Sequence, residues 1–78
     1  MRIDDQWIRI NPEEDSNGEK LRGQFARNIR TDGGMVIGRV IKGEEGKLTL
    51  QRYRHGEFVE TGTYDTFNAL HAAMLKDD

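Results

Sequence analysis

Apolar residues recur along this chain with two different spacings. Between residues 35 and 63 they fall at every second position in short runs, and beyond residue 66 they fall three and four apart. The first spacing places side chains on alternate faces of a strand, and the second places them on one face of a helix. Three runs carry the strand pattern: Met35–Lys42, Lys47–Arg54 and Glu57–Thr63. In Met35–Lys42, Met35, Ile37 and Ile41 share one face while Val36 and Val40 share the other. Both faces are therefore partly apolar, which predicts a central strand. Gly38 within it marks a bulge or a close neighbour. In Lys47–Arg54, Leu48, Leu50 and Arg52 oppose Thr49, Gln51 and Tyr53. Gly43-Glu44-Glu45-Gly46 and His55-Gly56 read as turns. A two-residue hairpin at His55-Gly56 sets a register with Tyr53 facing Phe58, Arg52 facing Val59 and Gln51 facing Glu60.

A helix is predicted over Thr66–Lys76. Phe67, Leu70, His71, Met74 and Leu75 form its apolar stripe, with Ala69, Ala72 and Ala73 beside it. Asp65 is the expected N-cap and Lys76 complements the last turn. The helix has little polar outer face, so it should lie close against the sheet.

Upstream, Gln6–Ile10 reads as a short strand stopped by Pro12. Glu19 to Arg30 fits both periods. As a helix, Ser16 and Glu19 form a capping box, and Leu21, Phe25 and Ile29 share a face. As a strand, Leu21, Gly23, Phe25, Arg27 and Ile29 share a face. Gly23 costs a helix about 1 kcal/mol relative to alanine, whereas the strand sets Arg27 among apolar neighbours. A turn at Asn17-Gly18 that pairs the segment with Gln6–Ile10 favours the strand. The helix stays as the alternative. Asp32-Gly33-Gly34 then turns the chain into Met35–Lys42.

The expected architecture is one α+β domain over residues 1–78. It is an antiparallel meander of four to five strands with one C-terminal amphipathic helix packed on one face. Met35, Ile37 and Ile41 are expected to meet the helix. Val36, Val40, Tyr53 and Phe58 then need another cover, from the upstream segments or from a second chain.

Composition adjusts this picture. Apolar residues make up 35% of the chain and charged residues 33%. A domain of this size buries only roughly 60–65% of its unfolded surface, so its stability margin is small. There is no cysteine, which excludes disulfides and thiolate metal sites and suits a cytoplasmic protein better than a small secreted one. No apolar leader follows Met1, and no run approaches ~18 apolar residues, so neither a signal peptide nor a membrane span is expected. The net charge of −2 argues against strong non-specific nucleic-acid binding.

Candidate chemistry is sparse. The stretch from Glu13 to Gln24 begins like a calcium loop, with Glu13, Asp15, Asn17 and Gly18 in sequence. It then places Lys20 where an apolar residue belongs and Gln24 where a bidentate glutamate is needed. His55 belongs to a hairpin tip and His71 to the helix stripe, so the pair has no metal-site spacing. Ser16 is the one serine and has no nucleophile elbow around it. Glu13-Glu14 and Glu44-Glu45 are sequence neighbours whose side chains diverge. Gly43-Glu44-Glu45-Gly46-Lys47 lacks both the spacing and the following Ser or Thr of a phosphate loop, and its acids repel phosphate. The same Gly43-x-x-Gly46 spacing fails as an RNA backbone clamp for the same reason. Phe58-Val59 lacks the companion aromatics of an RNA-recognition strand.

What remains is arginine interleaved with aromatics. Arg39, Arg52, Tyr53, Arg54 and Phe58 lie in the strand block, and Trp7, the one tryptophan, is either a core-edge residue or an interface anchor. Such a face suits a protein interface or phosphate contacts with stacking; the plainer alternative is a solvated face with Arg52–Glu60 or Arg54–Glu57 pairs. Three strands followed by one helix, with Gly62-Thr63-Tyr64-Asp65-Thr66 leading in, resemble the arm-type DNA-binding domains of phage integrases. That likeness is topological, spans residues 35–76 and includes no diagnostic motif. The expectation is a small, non-enzymatic binding or regulatory protein without cofactor or metal. It acts through a protein partner or as a homodimer, and a nucleic-acid module is the alternative.

Overall fold

From β3 onward each strand pairs with the strand that precedes it in sequence, and the helix closes one side. The computed structural model describes residues 1–11, 13 and 23–76, position 44 by its backbone alone. Its strands are β1 (Arg2–Ile3), β2 (Ile8–Arg9), β3 (Phe25–Arg30), β4 (Val36–Lys42), β5 (Leu48–Arg54) and β6 (Glu57–Tyr64), followed by helix α1 (Phe67–Lys76). β1 and β2 both pair antiparallel with β3, Ile3 opposite Ile29 and Ile8 opposite Ala26, so they are two pieces of one interrupted edge strand. From there the sheet runs β3-β4-β5-β6, antiparallel throughout. The molecule is thus the expected α+β meander with a C-terminal helix. The Asn17-Gly18 turn, the Ser16–Glu19 pair, the calcium-like stretch beyond Glu13, and Asp77-Asp78 lie outside the described residues.

The segment that fitted two periods is a strand over Phe25–Arg30. Its difficult residue, Arg27, does face the apolar side. It is accommodated by stacking: its guanidinium lies 4.7 Å from the Phe67 ring centre and 5.5 Å from that of Trp7. Its Nε also donates to the backbone oxygen of Asp4, at the break between β1 and β2. A flat, weakly hydrated cation can be held this way where an ammonium cannot.

β4 departs from simple alternation. Ile29 pairs with Gly38 but Arg30 pairs with Val36, which leaves Ile37 as an extra residue. This β-bulge changes which faces the two parts of the strand present. The expected trio of Met35, Ile37 and Ile41 therefore does not meet the helix together. Met35 is exposed outside the strand. Val40 is buried under the helix with Ile29, Leu48, Leu50, Leu70 and Met74, and Ile37 packs at the margin of that cluster. Ile41 joins Ile10 and Ala26 in a separate cluster. Gly38 meets both expectations placed on it. It adjoins the bulge, and a Cβ added there would lie 2.6 Å from the Gln51 carbonyl oxygen.

The β5–β6 hairpin has the expected register of Tyr53–Phe58, Arg52–Val59 and Gln51–Glu60. Its turn residues His55 and Gly56 both have positive φ, 51° and 83°, the geometry that matches the twist of paired strands. At the helix start, Thr66 rather than Asp65 acts as the cap. The amide of Ala69 donates to Thr66 Oγ1 at 3.1 Å, while the Asp65 carboxylate is engaged by Lys47 Nζ. The threonine stands three residues before a free helical amide, where a side-chain oxygen reaches it. At the Asp32 turn, the amino-terminal ammonium of Met1 lies 2.8 Å from the carboxylate and holds its pKa below the usual carboxylate range.

Two stability measurements check these assignments. Gly38→Ala should destabilise the domain by about 1–3 kcal/mol in urea unfolding, because the obstructing atom is backbone and cannot rotate away. Thr66→Ala should cost about 1 kcal/mol. Asp65→Ala, which removes an exposed ion pair, should cost less than that.

Candidate interaction surface on the open sheet face

The register and the helix together sort the side chains into two faces. Arg27, Ile29, Gly38, Val40, Leu48, Leu50 and Arg52 look toward α1. Ala26, Asn28, Arg39, Ile41, Thr49, Gln51, Tyr53, Phe58 and Glu60 look away from it. Across this second face, adjacent strands set Asn28, Arg39, Gln51 and Glu60 side by side as a polar row. Arg39 is only 6% exposed. Its Nε donates to Gln51 Oε1 at 2.6 Å, and its guanidinium carbon lies 4.0 Å from the centre of the Phe58 ring. Tyr53 meets Phe58 edge-on, with ring centres 5.1 Å apart. The favourable geometry of both contacts makes this corner a preorganised one.

An open groove of ≈ 700 Å³ crosses this face diagonally. One end is formed by Ile8, Arg9, Ile10 and Asn11, the middle by Ala26, Asn28 and Arg39, and the other end by Tyr53, Phe58 and the His55–Glu57 tip. Ile8 is 55% exposed and Tyr53 46%. Arg9 alternates with Ile8 and points to the other side of the sheet, where it reaches over the Phe25 ring, 5.7 Å from its centre. Apolar ends on a polar floor suit recognition of a partner surface better than enclosure of a small molecule.

Of the residues singled out from sequence, Arg39, Tyr53 and Phe58 come together in this groove. Trp7 does not: it lies on the helix side, 6.1 Å from Phe67 and close to Arg27 and Lys42. Arg52 is also on that side, 8% exposed. It donates through Nη2 to the carbonyls of Ala73 and Met74, at 3.2 and 3.5 Å, where the negative end of the helix favours a cation. Arg54 is exposed near the hairpin tip, opposite Glu57. Sequence reasoning missed the Ile8–Asn11 wall and Asn28. Their spacing signalled a strand, but the pairing of Ile8 with Ala26 joins residues far apart in the chain, which periodicity does not report.

Among the described residues, no group of three or more His, Asp or Glu side chains is arranged to hold a metal ion. No described helix is long and apolar enough to cross a membrane. No family of known proteins, no curated protein and no solved structure matches this chain.

The two arginines of β5 give a direct check on these placements. Arg52→Ala should lower stability by about 2 kcal/mol, through lost charged hydrogen bonds to the helix end and lost packing of the stem. Arg54→Ala should change it by less than about 0.5 kcal/mol. Urea titrations of the two variants side by side would show the difference.

Proposed function

We propose that this protein is a small binding module that receives another protein on the sheet face opposite its helix. The observation that carries the reading is the groove, with Ile8 and Tyr53 exposed at its two ends and an ordered polar floor between them. Large side chains fixed at a surface give a partner apolar area at low entropic cost, and the polar floor supplies orientation. The polar row under the groove holds one arginine, Arg39, beside Asn28, Gln51 and Glu60. That suits a protein surface better than a phosphate backbone, which calls for several exposed cations along one track. Arg39 and Arg52 are buried and engaged within the fold rather than presented outward.

The test compares wild type with Ile8→Asp and Tyr53→Ala as immobilised bait, each variant first shown to keep the wild-type unfolding midpoint. A protein partner held by wild type should bind each variant about tenfold more weakly, the usual effect of removing an interface anchor. Undiminished retention by both variants would remove this face from the reading. A mobility shift of DNA or RNA at low salt, without any retained protein, would replace it with the nucleic-acid alternative.

A further inference from the structure

The side of the sheet that carries α1 is not covered to its edge. α1 makes its closest approach to β5 and β6, and on the same side β2, β3 and β4 present a row of their own. Arg9 stands opposite Phe25, and Phe25 and Lys42 are the positions next beyond the Ala26–Ile41 pair. The row thus reads cation, ring, cation across three adjacent strands. Arg9 and Lys42 are exposed, and Phe25 is 39% exposed. Trp7 lies beside the row, with Lys42 Nζ 5.9 Å and the Arg27 guanidinium 5.5 Å from its ring centre. We infer that this corner binds a single-stranded nucleic acid, with a base stacked on Phe25 and the phosphates on either side of it met by Arg9 and Lys42.

The charge of the corner is uncompensated. Among the described residues, neither Arg9 nor Lys42 forms an ion pair. Each leans on a ring instead, Arg9 on Phe25 and Lys42 on Trp7. Asp5 is directed to Arg27, 3.9 Å from its Nη2, and Asp65 is engaged by Lys47. Glu57 stands at the hairpin end of the sheet, opposite Arg54. A net charge of −2 therefore coexists with a local site that attracts anions.

The ring between the cations selects among anions. An acidic peptide uses the two charges and leaves Phe25 idle. A nucleotide strand uses all three, because its bases stack on aromatic side chains while its phosphates meet cations. Arg9 and Lys42 stand two strands apart, about 10 Å, and both have long stems that reach toward a strand lying across the row. A duplex keeps its base faces stacked inside, so an exposed ring suits unpaired bases. Arg27 is held by Phe67, Trp7 and the Asp4 backbone oxygen and fixes the Trp7 ring rather than reaching the ligand. The corner lies on the opposite side of the sheet from the groove, so it does not depend on the protein-binding reading.

Trp7 is the one tryptophan of the chain and reports on the corner directly. Its fluorescence is followed in the full chain at low salt while short oligothymidylate or oligouridylate is added. Either should change it saturably, and the ratio of the two affinities identifies the sugar that is accepted. The logarithm of affinity should fall with that of salt at a slope of about −1.4, two phosphates at about −0.7 each. Arg9→Ala and Lys42→Ala should each halve the slope. Phe25→Leu should weaken binding about tenfold and leave the slope unchanged, whereas Phe25→Tyr should bind like wild type. Unfolding midpoints show that each variant is folded. No response to either oligonucleotide, an equal response to oligo-aspartate, or binding indifferent to the Arg9, Lys42 and Phe25 substitutions would each overturn the site. Loss of protein retention on the open face leaves these outcomes untouched.

Discussion

The extra residue in β4 governs how the two faces of the sheet are populated. With Ile29 opposite Gly38 and Arg30 opposite Val36, Ile37 is left over and the strand changes phase. On one side of that step Val40 comes under the helix, and Arg39 and Ile41 are turned to the far face. Gly38 belongs to the same device, since the Gln51 carbonyl approaches where a side chain would stand. An insertion of one residue thus determines both the composition of the core and the presence of an arginine in the groove.

The helix side shows how a small domain manages charge within its core layer. Arg27 and Arg52 both point toward α1, and each is given a partner that suits a guanidinium. Arg27 stacks on Trp7 and Phe67 near the start of the helix, and Arg52 donates to carbonyls near its end. Neither contact depends on an exposed carboxylate whose effect salt would screen. The aliphatic stems add packing area to a core whose fully buried members are few. These arginines therefore belong to the architecture, although their sequence context resembles that of a binding face.

The opposite face has a different organisation. Arg39, Gln51 and Phe58 form a fixed polar–aromatic floor, while Ile8 and Tyr53 stay in part exposed. A surface with its polar groups already oriented and its apolar groups left at the ends loses little conformational freedom on association. The open face and the uneven use of arginine are two consequences of one arrangement, in which a single helix covers a sheet that has two partly apolar sides.

Alternation, turn chemistry and helical spacing, all local properties, determined the strands β4 to β6, the hairpin register around His55-Gly56 and the extent of α1. Each depends on residues within one or two turns of chain. The same information separated Thr49, Gln51 and Tyr53 from Leu48, Leu50 and Arg52. Tertiary structure decided the rest. Whether Phe25–Arg30 forms a strand depends on partners for Arg27 that come from Trp7 and Phe67. Which residues of β4 face the helix depends on a bulge defined by its neighbour β3. That Arg52 serves the helix and Arg39 the groove depends on which side α1 covers. The wall at Ile8–Asn11 becomes part of a site only when β2 pairs with β3. In each case the deciding contact is made by residues distant in sequence, and short-range periodicity carries no record of them.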